Sequence, residues 1–148
     1  MRISGHGIEM NLPAGWEGRI YRRPLGYPIA HAGSFALPPE DGDFGSAAIV
    51  AMGPSDAFAA LLEYDPLLAG TGIFASPGIP LPLRAADTSP KTLQRQVRGR
   101  TAVQRFFTES GRAFCLYVVL PSNARLPRMI AEANRILSTV TIAPGGPA

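Results

Sequence analysis

The segment from Ala113 to Leu120 constrains the fold more than any other part of the chain, because it is apolar at every position and has the length of a strand. In an extended strand, successive side chains point to opposite faces of the sheet. One face would carry Phe114, Leu116, Val118 and Leu120, and the other Ala113, Cys115, Tyr117 and Val119. Since both faces are apolar, we predict an interior strand that other elements cover on both sides.

This strand is predicted to form one arm of a β-hairpin. The other arm is the β-rich segment from Val103 to Thr108. The connection Glu109-Ser110-Gly111-Arg112 contains a glycine, which supplies the positive φ of a tight turn without a steric penalty.

Two helices are predicted as covers for the sheet. Near the carboxy terminus, apolar residues recur at steps of three and four and predict a helix from about 125 to 138 with one apolar stripe. That stripe consists of Leu126, Met129, Ile130, Ala133, Leu137 and Val140. A shorter helix is predicted from Ser46 to Met52, with Ser46 as its cap and Gly53-Pro54 as its stop.

Alternation of apolar and polar residues, or short apolar runs between turn residues, predict the remaining strands. These are Ile8 to Leu12, Trp16 to Arg22, Ile29 to Leu37, Ala57 to Tyr64 and Thr139 to Ile142. Residues 65–92 contain five prolines and three glycines, so we expect a long loop there without continuous regular structure.

Together these elements predict one α+β domain over residues 1–142, followed by a disordered tail over residues 143–148. The expected architecture is a mostly antiparallel twisted sheet. The carboxy-terminal helix packs on one face, and the short helix with the long loop covers the other.

The expected compartment is the cytoplasm. No apolar run approaches the roughly 18 to 20 residues that a membrane-spanning helix needs, and the first residues lack the apolar region of a signal peptide. Cys115 is the only cysteine, so an internal disulfide is excluded and a reducing compartment is allowed.

The charge is distributed unevenly along the chain. Residues 1–90 carry 5 basic and 9 acidic side chains, whereas residues 91–148 carry 9 basic and 2 acidic ones. The densest basic cluster consists of Lys91, Arg95, Arg98, Arg100 and Arg105, interleaved with glutamines and followed by Phe106-Phe107. We predict a partner-binding surface at Arg95, Arg98 and Arg100. The alternatives are a merely solvated basic face and a weak nucleic-acid site.

No catalytic, cofactor or metal site is expected from the motifs. Cys115 falls in a strand that is apolar on both faces, where an inert thiol is favoured over a nucleophilic thiolate. His6 and His31 supply too few ligands for a metal, and Glu40-Asp41-Gly42-Asp43 lacks the remaining positions of a calcium loop. Gly70-Thr71-Gly72 has neither form of the glycine-rich phosphate cradle.

Four segments resemble a group of uncharacterised actinobacterial proteins: Gly7 to Trp16, Met52 to Tyr64, Gln104 to Phe107 and Gly111 to Tyr117. The Leu12-Pro13-Ala14-Gly15-Trp16 opening, the central hairpin and the closing helix are similar to the PsbP-like α/β/α sandwich. Photosystem accessory proteins share that fold with a nuclear-import Ran-release factor. Those relatives bind other proteins, so the resemblance implies a binding role by analogy and carries over no site residue.

The functional hypothesis from the sequence is a non-catalytic protein-interaction or accessory domain. A rival hypothesis is a small-molecule binder or enzyme with a pocket between the sheet and the proline-rich loop. In that case Tyr64, Glu63 or Asp87 would supply the polar contacts.

Overall fold

The computed structural model describes residues 1–40 and 42–145 and contains two antiparallel sheets and two α-helices. In chain order the elements are β1 (Arg2–Gly5), β2 (Ile8–Asn11), β3 (Glu17–Arg22), β4 (Pro28–Gly33), α1 (Ser46–Ala51), β5 (Phe58–Tyr64), β6 (Arg100–Glu109), β7 (Arg112–Pro121), α2 (Leu126–Leu137) and β8 (Thr141–Ile142). The small sheet has the order β1-β2-β8 and the large sheet the order β3-β4-β5-β7-β6. The sequence predicted a single sheet, so the division into two is a correction.

The predicted hairpin and its interior strand are confirmed. β6 and β7 pair over ten residues each, and β7 lies between β5 and β6. Every residue of β7 is buried, as expected for a strand that is covered on both faces. The predicted carboxy-terminal helix and the short helix are also confirmed, as α2 and α1.

The two faces of the large sheet carry separate cores. One core joins Phe107 and Phe114 to α2 and to the small sheet, through Met129 and Ile8 among others. The other joins Cys115 and Tyr117 to α1, through Ala48, Ile49 and Met52. Burying both apolar faces of the sheet against these layers supplies the main stabilisation of the fold.

The long loop does not cover only the face opposite α2, as the sequence had suggested. Leu83 packs in the core beneath α2, whereas Phe74 contacts Tyr64 and Phe106 on the other face. Between them the loop passes around the outer edge of β6, where Pro77 bridges to Thr108. It contains four 3-10 turns and no strand within its described residues, which agrees with the predicted absence of continuous regular structure.

The small sheet packs against the large sheet at a glycine. A Cβ atom placed on Gly18 of β3 would lie 2.8 Å from the side chain of Ile3 and 2.7 Å from that of Leu12. Such distances are too short for two carbon atoms, so any larger residue would force the ends of these two side chains to move. On the same side, Trp16 Nε1 donates a hydrogen bond of 2.5 Å to Glu132 Oε1 of α2.

Several predicted boundaries are wrong. β1 was not predicted; it pairs with β2 through a turn at His6 and Gly7, both of which have positive φ. β4 ends at Gly33 instead of Leu37. The N-cap of α1 is Gly45 in the left-handed region, and Ser46 is its first helical residue.

The predicted tail begins in an ordered position. The amide of Ala143 donates to the carbonyl of Gly7, which continues the pairing of β8 with β2 by one residue. Residues 146–148 of the predicted tail lie outside the described residues.

Candidate functional site

The three arginines of the predicted partner surface lie in different environments. Arg95 and Arg98 are exposed, and Lys91 nearby is exposed as well. Arg100 is only 8% exposed. Its Nη2 donates to the carbonyl oxygens of Met52 at 3.0 Å and Gly53 at 2.6 Å, which directly follow α1.

Arg100 is therefore not part of the exposed surface that the sequence predicted. A guanidinium that supports the carbonyl end of a helix offsets its partial negative charge and satisfies acceptors that have no helical donor. What remains exposed is a basic segment, defined here as Lys91, Arg95 and Arg98. Arg105 is not part of it, because its Nη2 lies 3.3 Å from Asp87 Oδ1.

The polar residues of the predicted small-molecule pocket are not brought together. Glu63 and Tyr64 are neighbours on β5 and so face opposite sides of the sheet. Asp87 is held by Arg105 and by the amide of Arg84. A groove of about 470 Å³ lies elsewhere, on the small sheet, and is lined by Ser4, Gly5, Gly7, Ile8, Glu9, Thr141, Ile142 and Ala143.

Glu63 forms a buried ion pair with Arg112. Arg112 Nη2 lies 2.6 Å from Glu63 Oε1, and its Nε donates to Oε2 at 3.0 Å. The same guanidinium donates to the carbonyl oxygens of His6 at 2.9 Å and Ala143 at 3.0 Å. All these contacts join parts of the fold, so the pair acts as a structural clamp.

Cys115 is completely buried in β7. Burial raises the pKa of its thiol to about 11, although a hydrogen bond from Gln104 opposes that shift. This thiol is therefore protonated at neutral pH, as predicted from the sequence.

The described residues contain no group of three His, Cys, Asp or Glu side chains that could hold a metal ion. His6 is exposed at the β1–β2 turn, whereas His31 is buried and its Nε2 lies 2.9 Å from the carbonyl oxygen of Asp43. Within the described part of the chain, no helix is both long enough and apolar enough to span a bilayer.

A surface that the sequence interpretation missed lies at one end of the large sheet. β3, β5 and β6 all end there, because each strand in the sheet is antiparallel to its neighbours. Four large apolar side chains are exposed in the segments that follow β3 and β5. These are Leu25 at 104%, Leu67 at 84%, Leu68 at 41% and Ile73 at 63%. We call these four residues the apolar end.

Three of these side chains belong to a loop that is fixed by hydrogen bonds. The Asp65 carboxylate accepts from the amide of Leu67 at 2.9 Å. Thr108 Oγ1 accepts from the amide of Gly70 at 2.8 Å and donates to the carbonyl of Phe74 at 2.6 Å. The Phe74 ring is buried against Tyr64 and Phe106, so it anchors the loop beneath the exposed residues.

Leu25 is held in a similar way. It lies in the turn between β3 and β4, where Arg22 Nε donates to the carbonyl of Gly26 and Arg23 Nε to that of Tyr27. Arg23 also donates to the carbonyl of Glu63 at the end of β5. This bond places the turn beside the start of the apolar loop.

One sequence signal could have indicated the apolar end. Residues 66–83 contain no ionisable side chain, although the chain as a whole is 17% charged. Proline and glycine in this run predict a loop, and loops lie at the surface. An uncharged loop with leucine and isoleucine is therefore expected to expose apolar side chains.

Comparison with known proteins finds no matching family model, no matching curated protein and no matching solved structure.

Proposed function

We propose that the chain is a non-catalytic protein-interaction domain, active in the cytoplasm, and that the apolar end is its main binding surface. The observation that carries this proposal is the exposure of Leu67 and Ile73, at 84% and 63%, on a loop held in place by Thr108 and Phe74. Large apolar groups exposed on an ordered surface are typical of interaction sites.

The order of the loop strengthens this interpretation. A loop that is already fixed loses little conformational entropy when it binds, so more of the contact energy appears as affinity. Each fully buried leucine or isoleucine contributes about 1.5–3 kcal/mol relative to an exposed one. Burial of the apolar end by a partner would therefore contribute favourably to the free energy of binding.

The charges around the apolar end favour a protein over an anionic membrane. Asp65 and Glu109 flank the loop, and Arg23 is paired with Asp43. Arg22 is a single exposed cation at the edge of the sheet. Binding to an anionic lipid surface relies on a cluster of basic side chains beside the apolar one. The basic segment lies elsewhere. It leads into β6, whose first residue, Arg100, is at the end of the sheet opposite the apolar end.

The basic segment is a second candidate surface, for an acidic partner. Lys91, Arg95 and Arg98 are exposed, and no acidic residue occurs between positions 88 and 108. The resemblance of the sequence to the PsbP-like sandwich implies a protein-binding role by analogy and does not assign that role to either surface.

The test is quantitative capture of partners from a lysate of the native host. We expect Leu67→Asp with Leu68→Asp to remove the captured protein and to leave the melting temperature nearly unchanged, because both side chains are exposed. Arg95→Glu with Arg98→Glu tests the basic segment in the same assay. Undiminished capture by the leucine variant would refute the apolar end as the main binding surface.

Arg100→Glu serves as the folding control in this series. Its side chain is buried and donates to two carbonyl oxygens at the end of α1, so a carboxylate there should lower stability by at least about 1–3 kcal/mol. A loss of capture that appears only with Arg100→Glu would reflect unfolding instead of a lost contact.

A further inference from the structure

We infer that the apolar end binds the apolar end of a second copy of this chain. The inference rests on the proposed function and names the partner of the same surface. It depends on how apolar and charged side chains are distributed across the five strands of the large sheet.

The apolar side chains lie in two groups, one on each side of β5. Leu25 is in the turn that joins β3 to β4. Leu67, Leu68 and Ile73 are in the loop that leaves β5 and reaches β6, where Gly70 and Phe74 bond to Thr108. The strand order β3-β4-β5-β7-β6 therefore separates the two groups along the end of the sheet.

Two oppositely charged side chains lie farther out. Arg22 is the last residue of β3, at one edge of the sheet, and Glu109 is the last residue of β6, at the other edge. Arg22 uses its Nε for the carbonyl of Gly26, and neither Arg22 nor Glu109 forms an ion pair within residues 1–40 and 42–145. Arg22 is exposed and Glu109 is partly exposed, so both charges can contact a partner.

A two-fold axis normal to the sheet and passing by the end of β5 reverses the order of these groups in the second copy. Leu25 of one copy then faces Leu67, Leu68 and Ile73 of the other. Arg22 of one copy faces Glu109 of the other, and the same contacts recur on the far side of the axis. Such self-complementarity is what an isologous dimer interface requires.

The expected affinity is modest. Four exposed apolar side chains per copy make a patch smaller than the roughly 800 Å² per partner of a standard interface. We therefore expect a dimer with a dissociation constant of about 1–100 µM.

Sedimentation equilibrium of the full chain between about 1 µM and 1 mM tests this inference directly. The wild-type mass should rise from monomer to dimer, and Leu67→Asp with Leu68→Asp should stay monomeric throughout. Val50→Asp is the matched control, because Val50 is 63% exposed on α1 and lies outside the apolar end. It should dimerise like the wild type.

Charge exchange tests the geometry of the pair. Arg22→Glu and Glu109→Arg should each raise the dissociation constant about five- to tenfold, because each change sets like charges opposite one another twice. The double variant restores opposite charges and should return to within about threefold of the wild type. Melting curves confirm that every variant is folded.

Three results would overturn the inference: a wild-type chain that is monomeric at the highest concentration, an unaltered dimer in the leucine variant, or no recovery in the double charge variant. If the wild type is monomeric and the leucine variant nevertheless captures less protein from the lysate, the proposed function stands. The partner of the apolar end is then a different protein. Binding of the monomer to phosphatidylcholine vesicles that depends on Leu67 and Leu68 would overturn both.

Discussion

Cys115 shows how completely the centre of the large sheet is closed to water. It pairs with Leu62 on one side and Phe106 on the other, and the core beneath α1 covers its thiol. A thiolate is the reactive form of cysteine, and burial in apolar surroundings disfavours it. The chemistry of this residue is therefore suppressed by its position, and its contribution is to packing.

We expect the native thiol of Cys115 to react with a bulky disulfide reagent at pH 8 at least about 100-fold more slowly than in denaturant, since reaction requires local opening. Because the pKa rises from 9.0 to about 11 on folding, the native state binds more protons than the unfolded state between these values. The unfolding free energy should then fall by about 2 kcal/mol as the pH rises through this window.

Urea titrations at pH 8 and pH 11 measure this fall, with Cys115→Ala as the control. Desolvation also raises the pKa of Tyr64 and Tyr117, so the alanine variant should keep part of the alkaline loss. Fast native labelling, or equal alkaline loss in both proteins, would show that the thiol is exposed.

At the scale of elements, the long loop protects the edge of β6. An exposed edge strand presents unpaired amides and carbonyls to other chains. Here the loop bonds to β6 at Thr108 through Gly78 and Ser76, and at Ala102 through Ser89. The side chain of Thr108 bonds to Gly70 and Phe74, so the strand that the loop covers also holds the apolar residues in place.

Thr108→Val should loosen the loop without unfolding the sheet. The substitution keeps the shape of the side chain but removes the acceptor for Gly70 and the donor to Phe74. We expect local stability to fall by about 1–3 kcal/mol, and hydrogen exchange at the amide of Gly70 to accelerate accordingly. Thr141→Val on the small sheet is the matched control; equal exchange at Gly70 in both variants would contradict the role of Thr108.

Elements with strong local patterns could be predicted from the sequence. The apolar run of β7 and the helical spacing in α2 depend on neighbouring residues alone, so their type was read correctly. The small sheet depends on pairing between β2 and β8, which are far apart in sequence, and on the close approach at Gly18. No local pattern reports either.

The candidate site was harder to predict for a related reason. Arg95 and Arg100 are the same residue type five positions apart, yet only Arg95 is exposed. The difference arises because β6 begins at Arg100, three residues before its predicted start, and places that arginine against the end of α1. The apolar end was missed because its side chains meet only where strands from distant parts of the sequence finish together.

At the scale of the whole molecule, Arg112 joins the two sheets. It belongs to β7 of the large sheet, and its guanidinium donates to His6 in the turn of the small sheet and to Ala143 just after β8. The charge is balanced by Glu63 on β5. Removing one partner of a buried pair destabilises a protein by about 3–5 kcal/mol, because the other charge is left unpaired.

We therefore expect the two sheets to unfold together in the wild type. When Arg112 is replaced, they should unfold at different urea concentrations. Trp16 is the only tryptophan and bonds to Glu132 of α2, so its fluorescence reports that layer, whereas far-UV circular dichroism reports the whole fold. The two signals should give the same urea midpoint in the wild type and different midpoints in Arg112→Met. Arg105→Met, which removes a partly exposed arginine from the neighbouring strand, should keep the signals together. Adding Glu63→Gln to Arg112→Met removes the unpaired charge, so part of the unfolding free energy should be recovered. The contacts to the carbonyls of His6 and Ala143 are still missing, so the urea midpoints of the two signals should remain different. Coincident midpoints in Arg112→Met would show that the apolar contact at Gly18 is enough to couple the layers.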